Sequence, residues 1–102
     1  MKIIKCLSEK IEEEIHDAES YIELAMQWKS EQPEVADLFY ELSMEEMKHM
    51  GMLHDAVAGL IGKYREEQGD PPAGMLAIYD YLHEKHIAKA MEVKVKQGMY
   101  TA

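Results

Sequence analysis

Glu46 and His49 stand three residues apart in Glu46-Met47-Lys48-His49. On a helix that spacing puts a carboxylate and an imidazole on one face, one turn apart. Counted at about 100° per residue, both fall within roughly 30° of the centre of a stripe marked by Val35, Leu42, Leu53 and Leu60. A carboxylate placed among apolar side chains is costly unless it gains a partner. Two arrangements supply one: a hydrogen-bonded Glu–His pair, or a cation held by both side chains. Carboxylate and imidazole without thiolate suit iron or manganese, while raw affinity also admits zinc and copper.

A third group is expected on the preceding helix. If the chain folds back between Gln32 and Pro33, the residue level with Glu46 is Glu19, and His16 is level with His49. Glu19, Glu46 and His49 are then expected to converge on one point between two antiparallel helices. Glu19 lies at the edge of its stripe, and Glu23 and Glu12 are its alternatives. His16 is expected at the surface.

Helices must position these residues, because no stretch alternates like a strand and breakers cluster at Pro33, between Gly59 and Pro72, and at Gly98. Apolar residues between the breakers recur at three- and four-residue steps. The spacing predicts an all-α fold: one domain over 1–102, with helices at about 4–30, about 33–66 and about 72–96. Ile4, Leu7, Ile11, Ile15, Ala18, Ile22, Ala25 and Met26 stripe the first helix, whose outer face carries Glu9, Glu12, Glu13, Asp17 and Glu23. Pro33 suits the first helical position of the second helix. Val35, Leu38, Phe39, Leu42, Leu53, Ala56, Val57 and Leu60 form that helix's expected core face. Ala36, Tyr40, Met44, Met47, Gly51 and Ala58 make a second low-polarity stripe roughly opposite. Two apolar faces predict a central second helix, covered by the third helix or by a second copy of the chain. The third helix is expected to turn Met75, Leu76, Tyr79, Leu82, Ile87, Ala90 and Val93 inward, and 98–102 to fray.

Composition narrows the function classes. In 102 residues, 20 acidic against 11 basic side chains give a formal charge of −9, which argues against nucleic acid. Cys6 alone excludes an internal disulfide and a cluster site built by one chain. No apolar run reaches the roughly 18 residues of a membrane span, and only Ile3-Ile4 precedes the first charges, so neither a membrane anchor nor a signal peptide is expected. A cytoplasmic protein is the resulting expectation. No nucleotide-binding or Ser/His/Asp signature occurs.

The segments Asp17-Ala18-Glu19-Ser20-Tyr21 and Phe39-Tyr40-Glu41-Leu42-Ser43-Met44-Glu45-Glu46-Met47-Lys48-His49 resemble the first half of a rubrerythrin or other ferritin-like di-iron protein. The resemblance covers roughly residues 8–60 and implies Glu19, Glu46 and His49 as iron ligands. One chain offers one Glu and one Glu-x-x-His, half of the set a four-helix di-iron bundle needs. The second pair of family helices and the rubredoxin-like cysteines are missing. Two long helices plus a third look like the encapsulated-ferritin type, in which a homodimer completes the bundle and holds two irons. Ferroxidase or peroxide-reducing activity follows from that resemblance. The rivals are a metal-free helical assembly module of the same architecture and a non-redox metal-binding protein, with manganese or zinc as other occupants.

His83 and His86 lie three apart on the third helix, as candidates for a further ligand set, a metal entry point or a half-buried helix contact. Met44, Met47, Met50 and Met52 spread around their helix instead of lining one seam, which disfavours a thioether copper site.

Overall fold

The structure, a computed structural model, describes residues 2–102. Three helices account for nearly all of them: α1 (Lys2–Trp28), α2 (Pro33–Gln68) and α3 (Ala73–Thr101). The all-α architecture is the expected one. Pro33 opens α2, where its fixed φ fits and its missing N–H goes unneeded. Gly59 and Gly62 do not break this helix. It ends instead at Gly69, whose φ of +81° favours glycine, with its N–H donating to the Arg65 carbonyl at 3.1 Å. Pro71 and Pro72 then prevent a restart until Ala73.

α1 and α2 form an antiparallel hairpin, and α3 returns mainly along α1, meeting α2 at few points. The result is a rod of 56 × 20 × 17 Å. Its long axis is set by α2, whose 36 residues span about 54 Å at 1.5 Å per residue. Ile11, Ile15, Ala18, Ile22 and Ala25 of α1 are buried between the other two helices. They join Val57 and Val93 in one cluster and Ala36 and Tyr100 in another. A fully enclosed side chain such as Ile22 contributes about 2–3 kcal/mol through burial.

Within one chain the central helix is therefore α1, not α2: the third helix does not cover the second, which leaves a second copy of the chain as its expected cover. On α2 the buried residues are Ala36, Ser43 and Val57. The face expected to be its core is covered only in part: Val57 is buried and Phe39 and Leu53 pack against the core clusters, while Val35 and Leu38 are 43% and 55% exposed. The fully buried positions that α2 turns against α1 are small side chains, with the larger Phe39, Met47, Met50 and Leu53 partly buried beside them. Small residues let two backbones approach closely, so the seam closes there, while Val35 and Leu38 are left outside.

A buried polar thread fixes the register of all three helices. Ser43 Oγ donates to the Ala18 carbonyl at 2.7 Å and accepts from Gln97 Nε2 at 2.9 Å. The chain end is also ordered, contrary to the expected fraying and to the expected close of the helix at about 96. Tyr100 is buried, stacks on Tyr40 with ring centroids 5.1 Å apart, and donates its hydroxyl proton to Asp37. Lys29 Nζ donates to the Tyr100 carbonyl at 2.5 Å. Of the residues expected inward on α3, Met75 and Ile87 are instead 37% and 47% exposed.

Candidate metal centre

Halfway along the hairpin, Glu14 of α1 meets Glu46 and His49 of α2. One donor atom from each lies within 4.8 Å of the others. His49 Nδ1 is 3.6 Å from Glu14 Oε2 and 3.9 Å from Glu46 Oε2. Both distances are too long for hydrogen bonds. Side-chain exposure is 24% for Glu14, 19% for Glu46 and 48% for His49, so the group is walled on the α1 side and open on the other. The open side is the outer face of α2, with its exposed Leu38 and Met52.

Glu14 is held there by a seam of three- and four-residue steps: Leu7, Ile11, Glu14, Ala18, Tyr21, Ala25 and Trp28. Every other member of that series is apolar and at least half-buried. Glu46 occupies the matching seam on α2, one turn beyond the buried Ser43. The seam thus drives two carboxylates toward one another between apolar walls that include Met47 and Met50.

Glu14 Oε2 is, among the described residues, the buried side-chain oxygen with no hydrogen-bond partner. Leaving such an acceptor unsatisfied costs about 1–3 kcal/mol, and more for a charged group. A cation beside it would remove that cost and the repulsion between the two carboxylates. Two carboxylates and one imidazole make an oxygen-rich donor set that suits iron or manganese. By this measure the residues present fit a metal ion.

The structure brings Glu46 and His49 together as expected from their spacing, and it brings Glu14, not Glu19, to them. Glu19 Oε2 faces α3 instead, 3.4 Å from Lys96 Nζ and 3.7 Å from Lys89 Nζ. The reason is the position of the turn. α1 ends at Trp28, so the fold-back centres between Ser30 and Glu31, earlier than expected, and residues of α1 level with α2 shift by about one helical turn. The residue level with Glu46 is then Ile15, beside Glu14, and the Ser43–Ala18 hydrogen bond marks the same register. The alternatives to Glu19 are also engaged elsewhere. Glu23 pairs with Lys96 at 2.8 Å, and that ammonium holds its carboxyl below the usual glutamate range. Glu12 Oε1 lies 3.3 Å from His86 Nε2. A carboxylate inside an otherwise apolar seam was the signal available for Glu14.

His16 is exposed, as expected. His83 does not join this group; its Nδ1 lies 3.0 Å from His54 Nε2, where α3 meets α2. No described helix is long and apolar enough to cross a membrane.

No curated protein and no solved structure gives a match to the sequence. The family model described as Rubrerythrin matches residues 5–100. A match of that extent takes in all three helices along with the Glu14–Glu46–His49 group, and so the chain belongs to the rubrerythrin family, the ferritin-like di-iron, iron-binding proteins.

Proposed function

We propose that the chain is half of a di-iron oxidoreductase, completed by a second copy, that oxidises Fe(II) with peroxide or dioxygen. The observation that carries this reading is the unpartnered Glu14 Oε2, set beside Glu46 and His49 at the edge of an uncovered apolar face. A two-fold axis along the outer face of α2 would bury Val35, Leu38 and Met52 and bring two such groups together. Four carboxylates and two histidines, the set a di-iron bundle uses, would then surround one space.

In this reading Glu14, Glu46 and His49 of each copy hold the metal, and bound iron supplies the one-electron redox chemistry. The carboxylates neutralise the cations and select hard ones over soft. Met47 and Met50 supply an apolar wall that limits water. His49, half exposed in one chain, would be covered on pairing. The net charge of −9 favours cation approach. The balance is simple: two Fe(II) give up two electrons, and one peroxide with two protons becomes two waters.

Within the chain Glu46 and His49 stand 3.9 Å apart, beyond hydrogen-bond reach, so a metal-free assembly module would need them to bond across the dimer. The test is anaerobic Fe(II) loading followed by oxidant. Oxidation should outpace the buffer control and saturate at two irons per dimer, and metal analysis of the purified protein separates iron from manganese or zinc. Glu14→Ala or Glu46→Ala should slow it at least about tenfold, a barrier change of about 1.4 kcal/mol. Glu19→Ala, expected to act only through its lysine partners, should oxidise iron nearly as wild type does. Silent Glu14→Ala and Glu46→Ala variants would overturn the enzyme reading, and a damaged Glu19→Ala with an intact Glu14→Ala would return the ligand role to Glu19.

A further inference from the structure

His54 on α2 and His83 on α3 face each other in a part of the rod where those helices otherwise barely touch. His54 Nε2 and His83 Nδ1 are 3.0 Å apart, with ring centroids at 4.7 Å and planes inclined by 28°. A straight N–H···N bond lying in both ring planes would hold the centroids about 5.3 Å apart. Two imidazole nitrogens each about 2.1 Å from one cation, at right angles, stand about 3.0 Å apart with centroids about 4.6 Å apart. The observed pair meets both values of the second geometry. A tetrahedral angle would instead require nitrogens about 3.4 Å apart.

The surroundings agree. His54, His83 and His86 line one small, partly open cavity of about 10 Å³, together with the apolar side chains of Ile11, Val57 and Leu82. That is about the space of a single water-sized particle. The Tyr79 ring lies near that of His83, centroids 6.0 Å apart and planes inclined by 14°. His86 is buried, and its Nε2 lies 3.3 Å from Glu12 Oε1.

We propose that His54 and His83 form a second, nitrogen-rich cation site, separate from the Glu14–Glu46–His49 centre, that takes a late first-row divalent ion of the Cu(II) or Ni(II) type. Imidazole donors at a right angle suit the tetragonal preference of those ions, whereas the carboxylate-rich centre suits iron. The site would also clip α2 to α3 through residues 29 positions apart, stabilising the native chain by mass action.

The test uses the full chain, Ni(II) as titrant and Cu(II) as spectroscopic probe. A Glu46→Ala/His49→Ala variant should keep one Ni(II) per chain, and its Cu(II) signal should show hyperfine splitting from two nitrogens. Adding His54→Gln or His83→Gln should weaken Ni(II) binding at least tenfold, while His16→Gln should not. Wild type carrying His54→Gln should lose one Ni(II) per chain and keep its Fe(II) stoichiometry, which separates this site from the proposed iron centre even if the double variant does not fold. If the His54 and His83 variants do not fold either, paramagnetic broadening of both ring signals by Ni(II) in wild type decides, with His16 as reference. Ni(II) affinity unchanged by both glutamine variants, or ring signals of His54 and His83 that stay sharp, would show a hydrogen-bonded pair that takes no cation and would overturn the proposal.

Discussion

The two faces of α2 do opposite things with apolar residues. The face against α1 uses Ala36, Ser43 and Val57, all essentially inaccessible. Away from it, Val35, Leu38 and Met52 are all substantially exposed. The inner face holds the hairpin together, with Phe39, Met47, Met50 and Leu53 partly buried beside its small residues. Close approach explains this, because small side chains let the helices meet and let Ser43 reach the Ala18 carbonyl. An apolar stripe records that a face avoids water, not which neighbour covers it. The Glu14–Glu46–His49 group sits on the border between the two faces, walled by one and opening on the other.

Charge placed on each face should break this comparison most sharply. Val57→Asp puts a carboxylate in the core cluster against Ile11, Ile15 and Val93, and should unfold the chain in circular dichroism. Leu38→Asp should keep full helicity but sediment as a monomer and lose iron. A Leu38→Asp protein that remains dimeric would remove the outer face from the proposed interface.

Chelation comes next in size. At a hundredfold excess over the dissociation constant, metal stabilises by about 2.7 kcal/mol, which in a chain of this length lowers the melting temperature by about 10–20 °C on removal. Glu46→Ala should abolish that difference. Glu14→Gln should melt above the metal-free wild type, since it lessens the repulsion around the unpartnered Glu14 Oε2. Identical melting curves with and without chelator would favour the metal-free module.

The inner seam has a seal at its far end that pH can probe. The hydrogen bond to Asp37 pushes the Tyr100 hydroxyl up to about 12, from an ordinary value of 10.0. A raised folded-state value means the contribution is fully present below pH 10 and is lost as pH rises from 10 toward 12. Tyr100→Phe should therefore cost about 1 kcal/mol at neutral pH and flatten stability across that alkaline window in denaturant titrations. An unchanged alkaline slope would sever the seal from the seam.

The smallest effect is expected at α1–α3, where Lys96 bridges Glu19 and Glu23 near the surface. Lys96→Ala should cost at most about 1 kcal/mol, less at high salt. The depressed Glu23 carboxyl places its share above the ordinary value of 4.5, fading as pH falls. A larger loss would mean that α3 is pinned by charge instead of by Val93 and Gln97.

Much of the site was legible before any coordinates. Glu46 and His49 share a face because three residues nearly complete a turn, which is local geometry. Glu14 was harder, because one of three consecutive glutamates, Glu12-Glu13-Glu14, must be singled out. Seam spacing with Ile11 and Ala18 selects it, but only once the hairpin register is known. The register depends on where α1 stops, and one turn of error exchanges Glu14 for Glu19. The ordered tail was hidden for a related reason: nothing local in 98–102 reveals that Tyr100 finds Tyr40 and Asp37.

By itself the sequence determined the helices, their breaks at Pro33 and Gly69–Pro72, and the carboxylate–imidazole pair, since backbone propensity and periodicity act over a few residues. Only the tertiary structure decided that α1 is central, that small side chains choose the face α2 presents, and that Glu14 completes the group. Those outcomes depend on steric fit and level between residues distant in the chain, and periodicity carries no information about either.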